Sequence, residues 1–97
     1  MRHFHRTQVQ PDDVLAVADA FFPTIGEQRT ASEHRGRTYT GPLGTLVMRV
    51  SKEGGHYTFV EVHTDQMGES RLDRNAKRFF VELKRAADER YTAVASF

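Results

Sequence analysis

From Ser70 to Tyr91 an apolar residue returns every three or four positions: Leu72, Ala76, Phe79, Phe80, Leu83, Ala86, Ala87 and Tyr91. This spacing predicts a long helix with one apolar face. A helix carrying two adjacent phenylalanines needs a surface to cover it, which the rest of the chain must supply. Val14, Leu15, Val17, Ala18, Phe21 and Phe22 repeat with the same period over a shorter stretch. Pro11-Asp12-Asp13 opens that shorter helix with a preset φ and two carboxylates at the positive end of the helix dipole. Pro23 and Gly26 close it.

Outside the helices the period falls to two. His3 to Val9 alternates and stops before Pro11, as a first strand would. Glu27 to Tyr39 is polar and only weakly alternating, which predicts an exposed or edge strand. Gly41-Pro42-Leu43-Gly44 is a turn, followed by a strand over Thr45 to Ser51 with Leu46, Met48 and Val50 on one face. Glu53-Gly54-Gly55-His56 turns the chain back. The returning strand, Tyr57 to Thr64, sets Val60 and Val62 on one side and Tyr57, Phe59, Glu61 and His63 on the other. Asp65 to Glu69 reads as a loop, and Ser70 with Asp73 three residues later caps the last helix. The tail from Thr92 to Phe97 carries no clear pattern. Residues 1–97 thus form a single α+β domain of two layers, an antiparallel sheet of about four strands covered by the long C-terminal helix. The expected order is β-α-β-β-β-α.

At 97 residues, 38% hydrophobic and 28% charged, the chain has the composition of one globular core. It has no cysteine, so disulfides, thiol nucleophiles and thiolate metal sites are excluded, and a reducing, cytoplasmic location is expected. No apolar run approaches the roughly 20 residues of a membrane span, and Met1-Arg2-His3 leads into no signal-peptide core; no membrane partner is expected. The net charge of +1 is too small to call for a polyanion. The charge is uneven, however: residues 71–97 hold seven basic and four acidic groups, and residues 54–70 hold three acidic groups and no basic one. On the last helix Asp73 with Lys77, Arg78 with Glu82, Lys84 with Asp88 and Arg85 with Glu89 are spaced i,i+4, which predicts a solvated, self-compensated face.

Candidate chemistry is sparse. His3 and His5 share one face of their strand, and Glu61 and His63 share one face of another. Four such ligands suit zinc only if the strands adjoin, and solvated histidines are the simpler reading, so no metal is expected. His63, Asp65, Ser70 and Asp73 hold the atom types of a hydrolytic site without its framework. Ser70 is better explained as a cap and Asp65 as a turn former; no catalytic residue and no cofactor is assigned. Gly54-Gly55, and Gly41 with Gly44, are hairpin glycines and precede no helix as a phosphate cradle would. Arg29, Arg35, Arg37 and Arg49 with nearby aromatics lack the signature of an RNA-binding sheet, and nucleic acid is disfavoured.

The opening "FHRTQVQPDDVLAVADAFF" and the final long helix together resemble the START and Bet v 1-like helix-grip superfamily, in which a strand and a short helix open the chain and the last helix lies across the sheet. The match spans the first strand–helix pair and the last helix. The chain is shorter than that superfamily's seven-stranded sheet requires, so the fold expected is a reduced helix-grip, TBP-like one. The resemblance implies a non-enzymatic binder of a hydrophobic small molecule held between sheet and helix. Phe22, Met48, Val60, Phe79, Phe80 and Leu83 would be the walls, and Tyr57 or His63 would orient the ligand. The competing reading is that these side chains fill the only core. A second function is a homodimeric or partner-binding module using the open sheet face, where Tyr57 and Phe59 would gather.

Overall fold

The computed structural model describes residues 1–95, with side chains through residue 88. The elements are β1 (Arg2–Thr7), α1 (Pro11–Phe21), a 3-10 turn (Phe22–Ile25), β2 (Gln28–Glu33), β3 (Gly36–Gly41), β4 (Gly44–Lys52), β5 (Thr58–Thr64) and α2 (Arg71–Ala95). Five antiparallel strands make one sheet in the order β1-β5-β4-β3-β2. The chain crosses from β1 to the far edge through α1, then returns strand by strand until β5 pairs with β1. The α+β architecture matches expectation with one strand more.

The extra strand comes from Glu27–Tyr39. That stretch, expected as one edge strand, is a hairpin in which a His34-Arg35 turn joins β2 to β3. Every residue of β2 is exposed, whereas β3 carries the buried Tyr39. A register shift between Arg29 and Ala31 lets Arg29 stay beside Tyr39 on the helix side. Such bulges suit an edge strand.

Both helices lie on one face. α1 rests on β4, α2 lies over β1 and β5, and the two helices touch. Val14, Leu15, Ala18 and Phe22 from the N-terminal layer meet Leu46, Met48, Val60 and Val62 from the sheet and Leu72, Ala76, Phe79 and Leu83 from α2 in one buried cluster. Phe22 joins the end of α1 to the sheet and to α2: its ring centroid is 4.7 Å from that of Tyr39 and 5.2 Å from that of Phe79. Gly26, at φ 84°, ends the 3-10 turn in the left-handed region that glycine adopts without strain. Tyr91 and the segment after it, for which the sequence set an apolar contact and an open question, lie outside the described side chains.

Candidate functional site

The eight residues expected to bind a ligand are not gathered around one space. Phe22, Met48, Val60, Phe79 and Leu83 are fully buried against one another in the core. Phe80 is half-buried at its edge, stacked on His5 with centroids 4.9 Å apart. His63 is exposed on the opposite face of the sheet, because the pleat that sends Val60 and Val62 inward sends Phe59, Glu61 and His63 outward. Tyr57 was expected beside Phe59. It precedes β5 and instead lines a shallow depression of about 360 Å³ at the edge between β1 and α2, with His5, Thr7, Lys84 and Ala87 among its neighbours. Burial, and then the Lys84 ammonium, hold the His5 imidazole below its ordinary pKa.

The face away from the helices carries a different set. Phe4 stacks on Phe59 with centroids 5.5 Å apart and planes inclined by 21°. Arg6 lies over the Phe59 ring at 5.7 Å. Phe4 is 54% exposed, among the largest exposed apolar side chains of the described residues. Around the aromatic pair run three weak ion pairs: Arg6 with Glu53 at 2.8 Å, Arg2 with Glu61 at 3.7 Å and Arg49 with Glu33 at 3.9 Å. Exposed pairs of this kind contribute little to stability, so these side chains are free to exchange partners. Val47, half-buried on β4, continues the apolar strip toward a shallow hollow it lines with His63 and Asp65.

The zinc grouping fails for a topological reason. β1 and β5 are neighbours, as the site requires, with Arg2 opposite His63 and Phe4 opposite Glu61. Cross-strand partners share a face, so His3 and His5 point to the helices while Glu61 and His63 point away. Among the described residues no three His, Cys, Asp or Glu side chains form a metal-sized cluster.

The hydrolytic grouping dissolves in the same way. Asp73 is fully buried and accepts from His3 Nε2 at 2.8 Å, Thr64 Oγ1 at 2.7 Å and Ser70 Oγ at 2.7 Å. Ser70 Oγ in turn accepts the Asp73 backbone N–H at 3.1 Å, completing the expected cap. Burial raises the Asp73 pKa, but the bonds from His3, Thr64 and Ser70 outweigh it and hold the carboxyl well below the usual carboxylate range. His63 and Asp65 stand apart: Asp65 Oδ1 accepts from the Thr45 N–H and from Gln66 Nε2, bonds that lower its pKa. The Asp73 node ties β1, β5 and α2 together and presents no free nucleophile.

Two further carboxylates are drawn in from the surface. Asp19 on α1 accepts from the Tyr39 hydroxyl at 2.6 Å and pairs with Arg29 at 3.0 Å and Arg37 at 3.2 Å, docking α1 on β2 and β3. Burial, the bond to Asp19 and the Asp19 charge all push the Tyr39 phenol up. Glu27 is fully buried with neither oxygen in a well-formed hydrogen bond. Burial raises its pKa; the Leu43 backbone amide partly offsets this and the Asp65 charge adds to it. A side chain at Gly41 would collide with the Glu27 carboxylate and the Gly26 carbonyl, so the carboxylate and the bare Gly41 backbone occupy the turn together.

Of the i,i+4 pairs expected on α2 whose two side chains are described, none forms an ion pair. Asp73 is turned inward and unavailable to Lys77. Arg78 lies over the Phe21 ring at 5.8 Å, and Glu82 pairs with Arg85 at i,i+3. Glu89 lies outside the described side chains. No helix among the described residues is long and apolar enough to cross a membrane. Comparison of the sequence with protein-family models and with curated proteins finds no match.

Proposed function

We propose that this chain is a small non-enzymatic association domain that docks a second copy of itself on the open face of its sheet. The carrying observation is the exposed Phe4–Phe59 stack set among Arg2, Arg6 and Arg49 and an equal number of glutamates. A two-fold axis through such a face sets the arginines of one copy within reach of the glutamates of the other, the exchange that would make the patch self-complementary. Five strands about 4.8 Å apart and 20–30 Å long give a face of roughly 500–600 Å² in projection, near the lower end of the about 600–1,000 Å² per partner of a stable interface. Close packing of Phe22, Met48, Val60, Phe79 and Leu83 favours this reading over a ligand held between sheet and helix. The test is the oligomeric state by sedimentation equilibrium. A dimer in the wild type that Phe4→Glu converts to a folded monomer supports the reading, and a wild-type monomer at millimolar concentration ends it.

A second reading rests on the β1–α2 depression, where Tyr57 and Ala87 present apolar surface beside His5 and Thr7. It keeps the hydrophobic small molecule implied by the helix-grip resemblance but moves it from the core to the edge. Native mass spectrometry of the freshly purified chain separates the two readings. A reproducible extra mass on a monomer, lost in Tyr57→Ala, favours the ligand.

A further inference from the structure

We infer that the outer face of α2 is a docking surface for the phosphate backbone of a nucleic acid duplex. Arg71, Arg74, Lys77, Arg78, Lys84 and Arg85 are all exposed on this helix, against Glu82 and Asp88 as the acidic groups of its described outer side. At 100° per residue the six cations fall within an arc of about 140° opposite the buried face of Leu72, Ala76, Phe79 and Leu83. Glu82 lies just outside that arc and is held by Arg85, and Asp88 lies within it, one turn beyond Lys84. Arg71, Arg74, Lys77 and Lys84 have no acidic partner among the described residues. The carboxylate that the i,i+4 spacing offers Lys77 belongs to Asp73 and is spent inside the fold on His3, Thr64 and Ser70. Two of the acids of α1 are engaged elsewhere, Asp12 with Arg35 and Asp19 with Arg29 and Arg37.

The chemistry of the ridge selects among polyanions. From Arg71 to Arg85 the helix rises about 21 Å, the length of about six phosphates along one strand of a duplex at 3.4 Å each. Guanidinium groups, which bind phosphate in bidentate fashion, make up four of the six cations. An anionic membrane is the poorer fit. A helix that binds in the bilayer interface inserts an apolar face, and α2 has buried its own in the core, leaving Val81 as the exposed large apolar residue of its outer side. Base-specific readout is not built in: Asn75, the amide side chain on this helix, donates to the Arg71 carbonyl at 2.8 Å. The binding is therefore to phosphate and independent of sequence.

The test is fluorescence anisotropy with the whole chain and a labelled random-sequence DNA duplex of about 20 base pairs, across about 50 to 200 mM salt. Four phosphate contacts predict a log–log salt slope of about −3.6 and a loss of affinity of roughly 100-fold over that range. Arg71→Glu, Arg74→Glu and Lys77→Glu combined should abolish binding, and Arg74→Gln alone should shallow the slope by about one contact. These side chains are exposed, so an unchanged circular dichroism spectrum and cooperative melt identify a folded variant. Lys52→Glu, at the end of β4 and outside α2, should leave the slope unchanged. No duplex binding at low salt, binding without a salt slope, or loss that follows Lys52→Glu in place of the α2 variants would overturn the inference. So would capture by phosphatidylserine vesicles of a protein that ignores the duplex.

Discussion

Replacing Asp73 by asparagine isolates the charge at the junction of β1, β5 and α2 while keeping the shape of the side chain. In the folded chain Oδ1 accepts from both His3 and Thr64, and Oδ2 accepts from Ser70. An asparagine has one acceptor oxygen. Its best orientation keeps that oxygen on His3 and Thr64 and turns the amide toward Ser70, whose hydroxyl can rotate to accept. All three contacts survive but none is charge-assisted. Hydrogen bonds to charged groups are worth about 1.5–3 kcal/mol and neutral ones about 0.5–1.5 kcal/mol, so losing the difference three times costs about 3 kcal/mol. That is a large part of the roughly 5–15 kcal/mol that keeps a small domain folded. Urea unfolding followed by circular dichroism gives the midpoint and slope for both proteins.

The pH dependence makes this prediction specific. Because the Asp73 carboxyl titrates lower in the folded chain than in the unfolded one, its stabilisation is complete above the ordinary carboxylate pKa. It is lost as pH falls through the lower, folded value. Asp73→Asn removes that dependence, so the gap between the two proteins should be full at neutral pH and narrow on acidification below about pH 4. A Thr64→Val cycle should show coupling of at least about 0.5 kcal/mol with Asp73→Asn. A cost below about 1 kcal/mol at neutral pH, or a gap that stays constant on acidification, would mean that Asp73 is not the charged hub described above.

Other positions give shorter tests. Phe79→Ala removes a ring packed on Phe22 at the centre of the core and should cost about 3–5 kcal/mol in urea unfolding; under about 1 kcal/mol would refute its placement there. Glu27→Gln should stabilise the chain by about 1–2 kcal/mol at neutral pH, because burial disfavours the charged form of this carboxyl and neither oxygen is in a well-formed hydrogen bond. The raised Glu27 pKa means that the wild type loses stability as pH rises through the folded value, so the advantage of glutamine should vanish in thermal melts below about pH 4. Tyr39→Phe deletes the donor to Asp19 and should cost about 1–2 kcal/mol, read from the same urea midpoints.

Much of the fold was legible because its signals were periodic. The faces of α1, α2, β4 and β5 follow from spacing alone, and Ser70 with Asp73 marked the start of α2 correctly. The β2–β3 hairpin was not legible: the two central residues of its turn, His34 and Arg35, are neither glycine, asparagine nor proline, and an exposed edge strand has no apolar alternation to read. β1 runs against the simplest rule. Alternation would bury Phe4 and expose the histidines, yet pairing of His3 with Val62 and His5 with Val60 turns the histidines inward. That arrangement is tolerated because α2 offers Asp73 to one imidazole and the Phe80 ring to the other. The consequence is the Phe4–Phe59 stack on the open face, which no inspection of β1 by itself reveals.

The charge pattern was obscured for the same reason, that burial is a property of the fold. Composition counts fourteen basic and thirteen acidic residues as nearly cancelling, but the fold withdraws the two signs unequally. Asp73 and Glu27 are fully buried, and Asp19 is held among Arg29, Arg37 and Tyr39. Carboxylates are short, and backbone amides and hydroxyls can satisfy them inside a domain; the long basic side chains of α2 reach water from any outward position. The sheet face keeps its glutamates because they sit across strands from arginines, and it remains balanced. Helix α2 loses Asp73 to the interior and becomes strongly basic along its first four turns. A chain with a net charge of +1 thus presents one face of paired arginines and glutamates and one on which cations outnumber acids, and these differ in the partners they attract.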